Sequence, residues 1–192
     1  MKIFTGKNTS HYQMTRSIVT IGKFDGVHLG HQKLISRVVR ESRRLEGQSV
    51  VIVVEPADGR ENEKSRSNQK ITPYDKQVNL IANLGVDVLI KIQLDRHFLK
   101  KSPDEFISRF LADQLGVIKI IVGPDFHFGR NRSGDIHTLL QYGERFGFEV
   151  EMIPFVRSGD DRISSTAIRT MIGNHDFEGA ARMLGRGWVM AG

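Results

Sequence analysis

The sequence predicts an α/β fold in which a doubly wound, mainly parallel sheet of five strands carries helices on both faces. Two features of the chain predict it: short runs of β-branched residues recur along the sequence, and stretches with the periodicity of amphipathic helices separate them. Strand–helix alternation of this kind is typical of parallel sheets that are covered by helices. With 192 residues and 39% hydrophobic content, the chain is long enough to bury a core without a disulfide or a structural metal.

The predicted strands are residues 18–21, 50–54, 86–92, 118–122 and 149–153. We consider the order 3-2-1-4-5, in which the sheet grows outwards in both directions from its first strand. Predicted strands 1 and 4 would then flank the point where the strand order reverses. Doubly wound sheets bind their ligands at that point, beyond the carboxyl ends of the strands.

Start and stop signals delimit the predicted helices between these strands. Thr72 stands before a proline, which is favoured at the first position of a helix. Ser102 and Glu105 have the spacing of a capping box. The helices are predicted over about 31–45, from 73 to 85, from 102 to 116, over about 135–146 and over about 176–184.

The composition favours a cytoplasmic protein that binds small anions. The chain has no cysteine, which suits a reducing compartment. Its first residues lack the apolar core of a signal peptide, and no apolar run approaches the ~20 residues of a membrane helix. The net charge is +6, but the basic residues are scattered, which favours small phosphorylated ligands over nucleic acid.

Residues 57–70 form the one long irregular stretch of the sequence, with no periodicity and almost no apolar content. Loops of this length inside a compact domain are commonly lids or binding loops. The alternative is a solvated insertion without a role in binding, and the sequence favours neither.

The first candidate site is the segment GKFDGVHLGHQ, residues 22–32, between the first predicted strand and helix. Its glycines permit backbone to approach a ligand closely, and the helix that follows would direct free N–H groups at an anion. His28 and His31 would lie on the same side of that helix and could donate hydrogen bonds to phosphate oxygens. A zinc site is a weaker alternative, since no further ligand cluster is evident, and a purely structural pair of histidines is another.

The second candidate site is the segment VGPDFHFGRNRSGD, residues 122–135, after the fourth predicted strand. The predicted strand order would place Asp125, Phe126 and Phe128 opposite the two histidines. For either phenylalanine alone, a place in the core is the more ordinary interpretation.

The third candidate site is Ser164-Ser165-Thr166, followed one helical turn later by Arg169. Hydroxyls at a helix start usually cap it. Three in a row with an arginine nearby also suit phosphate oxygens, which the guanidinium fork binds in a bidentate manner.

Taken together, these motifs resemble the FMN adenylyltransferase (FAD synthetase) module of bacterial bifunctional riboflavin kinase/FMN adenylyltransferases. The matching segments are GKFDGVHLGHQ, VGPDFHFGRNRSGD, and ISSTAIR with GNHDFEGAARMLGR behind it, in the family's order over residues 17–186. The HxGH element alone indicates the wider nucleotidyltransferase superfamily, and the FDGVH and DFxFG contexts narrow it to the flavin branch.

The resemblance implies a Rossmann-like nucleotidyltransferase domain over residues 1–186 and a tail over 187–192, where the bifunctional relatives continue into a riboflavin kinase domain. It implies transfer of AMP from ATP to FMN, giving FAD and pyrophosphate, with Mg²⁺ carried by the ATP phosphates and without kinase activity. His28 and His31 would steady the α-phosphate, and Arg169 the departing pyrophosphate. The implied ATP-binding residues are Gly22, Lys23, Phe24, Asp25, Gly26, His28, His31, Ser164, Ser165, Thr166 and Arg169; the implied FMN-binding residues are Pro56, Asp125, Phe126 and Phe128.

The sequence departs from the family after the second predicted strand. The family usually shows Phe, an acidic residue, Pro, His and Pro, where this chain has Val54-Glu55-Pro56-Ala57-Asp58. This departure keeps two alternatives open: a nucleotidyltransferase with another phosphorylated acceptor, and a non-catalytic flavin or nucleotide sensor. Neither a nucleic-acid partner nor a membrane partner is predicted, and no oligomeric state is.

Overall fold

The computed structural model of the chain describes residues 1–5, 13–56 and 70–188. Its centre is a six-stranded sheet in the order β1-β4-β3-β2-β5-β6, and every neighbouring pair is parallel. The strands are β1 (Lys2–Thr5), β2 (Ser17–Gly22), β3 (Gln48–Pro56), β4 (Val88–Leu94), β5 (Val117–Val122) and β6 (Glu149–Met152). Most of the irregular stretch 57–70 and the end of the tail 187–192 lie outside the described residues.

The predicted α/β class and the predicted strand order are confirmed, because the five expected strands are β2 to β6 in the arrangement β4-β3-β2-β5-β6. The predicted number of five strands is wrong. A sixth strand, β1, extends the sheet by pairing with β4, with Lys2 beside Val88. β1 has four residues and is largely exposed. Backbone pairing with β4, rather than burial of its side chains, therefore makes it a strand, and its sequence has no apolar pattern that would predict one.

Side-chain caps mark the start of several helices. Asp135 caps its helix by accepting a hydrogen bond from the Thr138 N–H, and the Ser102–Glu105 capping box is present in both directions. The helices are α1 (Leu29–Arg44), α2 (Tyr74–Ala82), α3 (Arg96–Leu99), α4 (Pro103–Glu105), α5 (Ile136–Phe146), α6 (Ser165–Gly173) and α7 (Phe177–Leu184).

Two details differ from the predicted helices. Pro73 rather than Thr72 occupies the N-cap of α2, without a side-chain cap, and the helix ends at Ala82, before Gly85. The third predicted helix is α only in its first turn and continues as a π-helical segment, Phe106–Gln114. The buried Phe106 and Phe110 anchor this segment to the core, and periodicity alone does not distinguish the two helix types.

The two faces of the sheet carry separate apolar layers, as the doubly wound prediction requires. Alternation along β2 directs Val19 and Ile21 into the layer beneath the π-helical segment and α5. Ile18 enters the opposite layer with α1 and α2. A third, smaller core joins α6 to α7 around Ile168 and Leu184.

A short antiparallel hairpin, β7 (Arg157–Ser158) and β8 (Asp161–Arg162), lies between β6 and α6. None of the helices in the described ranges is long and apolar enough to cross a bilayer.

Candidate active site

A cavity of about 760 Å³ lies beyond the carboxyl ends of β2, β3, β4 and β5. The loop after β2 and the loop after β5 both line it, so the structure brings the first two candidate segments together at the point where the strand order reverses. The hydroxyl cluster at the start of α6 completes one wall. The sequence-predicted residues that line it are Gly22, Lys23, Phe24, His28, His31, Asp125, Phe126, Phe128, Ser164, Ser165 and Thr166.

The loop after β2 has an unusual backbone that its sequence must support. Phe24 and Val27 adopt positive φ angles of 50° and 39°, and Gly26 has a φ of 84°. Positive φ is costly for bulky side chains, by about 1–3 kcal/mol each. Phe24 is 1% exposed and its ring lies against Gly22, where an added Cβ would approach it to 3.1 Å. Phe24 therefore supports the floor of the cavity from the core.

His28 and His31 form a stacked pair at the start of α1. The rings lie 3.6 Å apart with an angle of 17° between their planes. His28 is the N-cap of the helix, and its Nδ1 accepts a hydrogen bond from the His31 backbone N–H at 3.3 Å. A neutral His28 consequently carries its proton on Nε2, which can donate to a ligand. The Phe24 and His31 rings pack in a T-shaped arrangement with their centroids 5.2 Å apart.

The pKa values of both histidines are lowered, so both rings are neutral at pH 7. Burial, together with the nearby positive charge of Arg162, lowers the pKa of His28 from 6.5 to about 4. Burial, and then repulsion by His28, holds the pKa of His31 well below its ordinary value. The Nδ1 of His31 is buried without a hydrogen-bond partner among the described residues. The pair can therefore act as neutral donors rather than as cations.

The lowered pKa of His28 predicts a pH dependence of stability. The unfolded chain binds a proton at His28 near pH 6.5 and the folded chain only near pH 4. The His28 contribution is therefore complete above pH 6.5 and is lost as the pH falls towards 4, by about 3 kcal/mol in free energy of unfolding. Denaturant titrations of wild type and His28→Asn between pH 4 and 8 measure it, since asparagine also caps helices well. Parallel pH profiles for the two proteins would contradict it.

The loop after β5 supplies an aromatic wall. Phe126 and Phe128 stack with ring centroids 5.5 Å apart, and Phe128 also packs against Phe106 of the π-helical segment at 5.8 Å. Phe128 is 8% exposed and belongs to the core, whereas Phe126 is only partly buried. A two-way backbone pairing between Phe128 and Gly134 closes the loop.

Arg162, in the β7–β8 hairpin, is a cavity residue that the sequence analysis missed. Its guanidinium donates to Asp125 at 2.6 Å and lies 3.3 Å above the centre of the Phe155 ring. The contact with Asp125 joins segments that are 37 residues apart, and apart from its charge nothing in the local pattern marks Arg162. Among the described lining residues, the charged side chains besides histidine are Lys23, Lys101, Arg132, Arg162 and Asp125. Four cations against one carboxylate make this a cavity for anions.

The three hydroxyls at the start of α6 divide their tasks. Ser164 is the N-cap and accepts from the Ala167 N–H at 3.1 Å. Ser165 donates to the Asp25 carbonyl at 2.9 Å. Thr166 is exposed and lines the cavity. Capping thus explains Ser164, as the ordinary interpretation has it, and ligand binding by Thr166 stays a prediction.

Four other predicted site residues do not line the cavity: Pro56, Asp25, Gly26 and Arg169. Pro56 ends β3 and is exposed. Asp25 and Arg169 form an ion pair at 2.5 Å behind the loop after β2. The role of Arg169 on a departing pyrophosphate stays a prediction. For the zinc alternative, no group of three or more His, Cys, Asp or Glu in the described ranges is placed to hold a metal ion.

Comparisons with known proteins agree with this architecture. The family model described as FAD synthetase matches residues 10–167. The bifunctional riboflavin kinase/FMN adenylyltransferase of Pseudomonas fluorescens is 34% identical, with 100% of this chain and 61% of the relative covered. That of Escherichia coli (strain K12) is 31% identical, with 100% and 62% covered.

Among solved structures, a macrolide-efflux protein from Streptococcus pneumoniae superposes with a TM-score of 0.85 at 24% identity, with 98% of this chain and 72% of that chain covered. This similarity shows the fold alone. The chain spans 61% and 62% of the length of the two curated relatives.

Proposed function

We propose, since this chain belongs to the FAD synthetase family, that it transfers the AMP part of ATP to FMN and so produces FAD and pyrophosphate. The observation that carries the proposal is that one cavity combines polar and basic lining residues with apolar and aromatic ones. The polar residues include His28, His31 and Thr166 at helix starts. The apolar and aromatic residues suit a flavin ring.

The aromatic wall supports a flavin as the acceptor, even though the family's usual residues are replaced after β3. Val54 still lines the cavity in place of the usual phenylalanine. Other apolar residues that line the cavity come from the ends of β2 and β4 and from three later segments. They include Ile21, Ile92, Leu94, Phe98, Phe106, Phe126 and Phe128. A cavity of about 760 Å³ lies in the range of pockets for organic ligands of this size, roughly 300–1,000 Å³.

In the proposed reaction a phosphate oxygen of FMN attacks the α-phosphorus of ATP in line. The new bond joins the two phosphates, the bond between the α-phosphorus and the bridging oxygen breaks, and pyrophosphate leaves with the electron pair. The second pKa of a phosphate monoester is near ~6, so the nucleophile is already ionised at neutral pH. The protein therefore has to position two anions and stabilise charge rather than supply a base.

The polar lining residues of the cavity are suited to those tasks. We assign His28 and His31 to the α-phosphate as neutral donors, because burial keeps their pKa values low. The first turn of α1 adds free backbone N–H groups. Arg162 and Lys23 line the same cavity as cations, and we assign them to the phosphates.

Mg²⁺ belongs to this proposal as a companion of the triphosphate. Asp125 is the one carboxylate among the described lining residues, and it is paired with Arg162. Since magnesium prefers oxygen ligands and often keeps substrate phosphates and water among them, this lining suits an ion held mainly by ATP. When bound, it would neutralise phosphate charge.

The direct test is incubation of the protein with ATP, Mg²⁺ and FMN, followed by chromatography of the flavins. FAD and pyrophosphate in equal amounts are expected, with no product from riboflavin because it lacks the attacking phosphate. Nicotinamide mononucleotide and phosphopantetheine, offered in parallel, examine the alternative acceptors. Tight binding of FMN and ATP without product would favour a sensor instead.

We propose the cytoplasm as the location, in keeping with a chain that has no cysteine.

Gly30→Ala is expected to lower kcat about tenfold without loss of stability. An added Cβ at Gly30 would lie 3.1 Å from both Cε1 and Nδ1 of His28, so the imidazole must move by a few tenths of an ångström. Alanine is otherwise the better helix residue at this position. The control is Gly173→Ala in α6, where an added Cβ meets nothing within 4 Å. Equal kcat in both variants would contradict the prediction.

A further inference from the structure

The loop after β2 is held from behind by hydrogen bonds to every carbonyl from residue 23 to residue 27. One of these bonds is local, from the Val27 N–H to the Phe24 carbonyl. The others come from side chains of α1, α2, α6 and the segment after α7. These donors are Gln77 to Lys23 at 2.8 Å, Ser165 to Asp25 at 2.9 Å, Arg186 to Gly26 at 2.6 Å, and Gln32 to Val27 at 2.8 Å.

This arrangement accounts for the strained backbone of the loop. Phe24 and Val27 keep positive φ angles, and such conformations persist only where the surroundings over-determine them. Gln77 is 4% exposed, so its bond to the Lys23 carbonyl is made inside the protein. The loop is therefore rigid before any ligand arrives, which is the state that favours transition-state binding.

Asp25 is the centre of this support. Its carboxylate accepts from the backbone N–H groups of Ile71 at 3.1 Å and Thr72 at 3.2 Å. The same carboxylate accepts from the Arg169 guanidinium at 2.5 Å. A carboxylate offers about four acceptor positions, and these three donors make four contacts with its two oxygens because the Ile71 N–H reaches both. Asp25 also does not line the cavity in which we place the substrates.

We propose that Asp25 is a positioning residue, which fixes the loop after β2 to Arg169 of α6 and to the start of α2. The proposal rests on the function proposed above, because the loop positioned in this way carries the phosphate-binding histidines. Asp25 acts through three groups at once: the Arg169 side chain and the two backbone N–H groups at residues 71 and 72. The aspartate within the FDGVH motif thereby acquires a role other than contact with ATP.

The single tryptophan of the chain reports on this connection. Trp188 donates from Nε1 to the Ile71 carbonyl at 3.3 Å. The backbone N–H of Ile71 in turn donates to the Asp25 carboxylate. Release of the 71–72 backbone from Asp25 should therefore expose the indole. Acrylamide quenching of its fluorescence measures that exposure without any enzymatic reaction.

The test compares Asp25→Asn, Arg169→Gln and the double variant with wild type. The amide introduced by Asp25→Asn would turn an N–H group towards other donors, so we expect stronger quenching of Trp188 in that variant. We expect its kcat to fall on the order of 10²-fold with the KM for FMN and the Mg²⁺ dependence unchanged. The double variant should lose little more than the more damaging single variant, because the two residues act as one unit.

The matched control is Asp104→Asn, which removes an exposed ion pair with Arg145 at 3.2 Å, away from the cavity. It should change neither quenching nor kcat. Additive losses, or a shifted Mg²⁺ requirement in Asp25→Asn, would overturn the proposal, the latter by showing a metal ligand. If wild type forms no FAD, the proposed function fails, and the quenching of Trp188 then decides on the role of Asp25. Unchanged quenching in both Asp25→Asn and Arg169→Gln would overturn that role.

Discussion

Replacement of His31 by alanine is expected to lower kcat for FAD formation about 10²-fold or more, the loss that follows removal of one transition-state donor. The His31 ring is stacked on the His28 ring, with centroids 3.6 Å apart, and also packs against the Phe24 ring in a T-shaped arrangement. Its lowered pKa keeps it neutral, so its contribution is a positioned N–H group and not a fixed charge. The measurement is steady-state formation of FAD, followed by chromatography.

The KM values sharpen this prediction. If His31 acts mainly as charge builds on the α-phosphate, kcat and kcat/KM should fall together while the KM for FMN stays close to that of wild type. A suitable control is His127→Ala: His127 also lines the cavity but is exposed, and its Nδ1 lies 3.0 Å from the Asp125 carbonyl oxygen. We expect a change of only a few-fold there. Wild-type turnover in His31→Ala would remove the central step of the proposed mechanism.

Features that depend on neighbouring residues can be predicted from the sequence. The Ser102–Glu105 capping box and the Asp135 cap are satisfied within three residues along the chain, so their pattern contains the whole interaction. The HxGH element is similar, because His28 caps the helix that contains His31. The strand–helix alternation predicts the parallel sheet, and the order 3-2-1-4-5 that we considered brings the two glycine-bearing loops together.

Features that depend on distant partners cannot be predicted in this way. β1 is a strand only because β4 lies beside it. Arg162 reaches Asp125 across 37 residues, and Arg169 reaches Asp25 across 144. A local pattern gives the charge of such a residue but not its partner. The resemblance implies that Asp25 and Arg169 both bind ATP, which stays a prediction, but it gives no sign that the two residues pair with each other.

The buried network around Lys119 illustrates the same limit. Lys119 is 6% exposed on β5 and pairs with Glu41 at 3.0 Å and Glu151 at 2.9 Å. The β-branched residues that surround it predict its strand. A charged lysine can be buried on this strand because carboxylates from α1 and β6 pair with it. The periodicity of the sequence does not predict these pairs.

Phe128→Ala is expected to lower the free energy of unfolding by about 3–5 kcal/mol, the usual cost of deleting a buried phenylalanine. The ring is 8% exposed and packs against Phe106 and Phe126. It also fills the space above Gly134, where an added Cβ would lie 2.6 Å from it. Little rearrangement can refill that volume, because the backbone pairing of Phe128 with Gly134 fixes the loop.

Phe126→Ala is the informative comparison, because this ring lies in the same stack but is only partly buried. We expect a smaller loss of about 1–2 kcal/mol together with a raised KM for FMN, since the exposed part of Phe126 faces the cavity. Urea titrations at constant m-value give the stabilities. A loss below about 1 kcal/mol in Phe128→Ala would mean that Phe128 is a binding surface and not core. The two phenylalanines of one motif would then share a single role, whereas their difference in burial predicts that Phe128 mainly stabilises the fold and that Phe126 mainly contacts the proposed flavin.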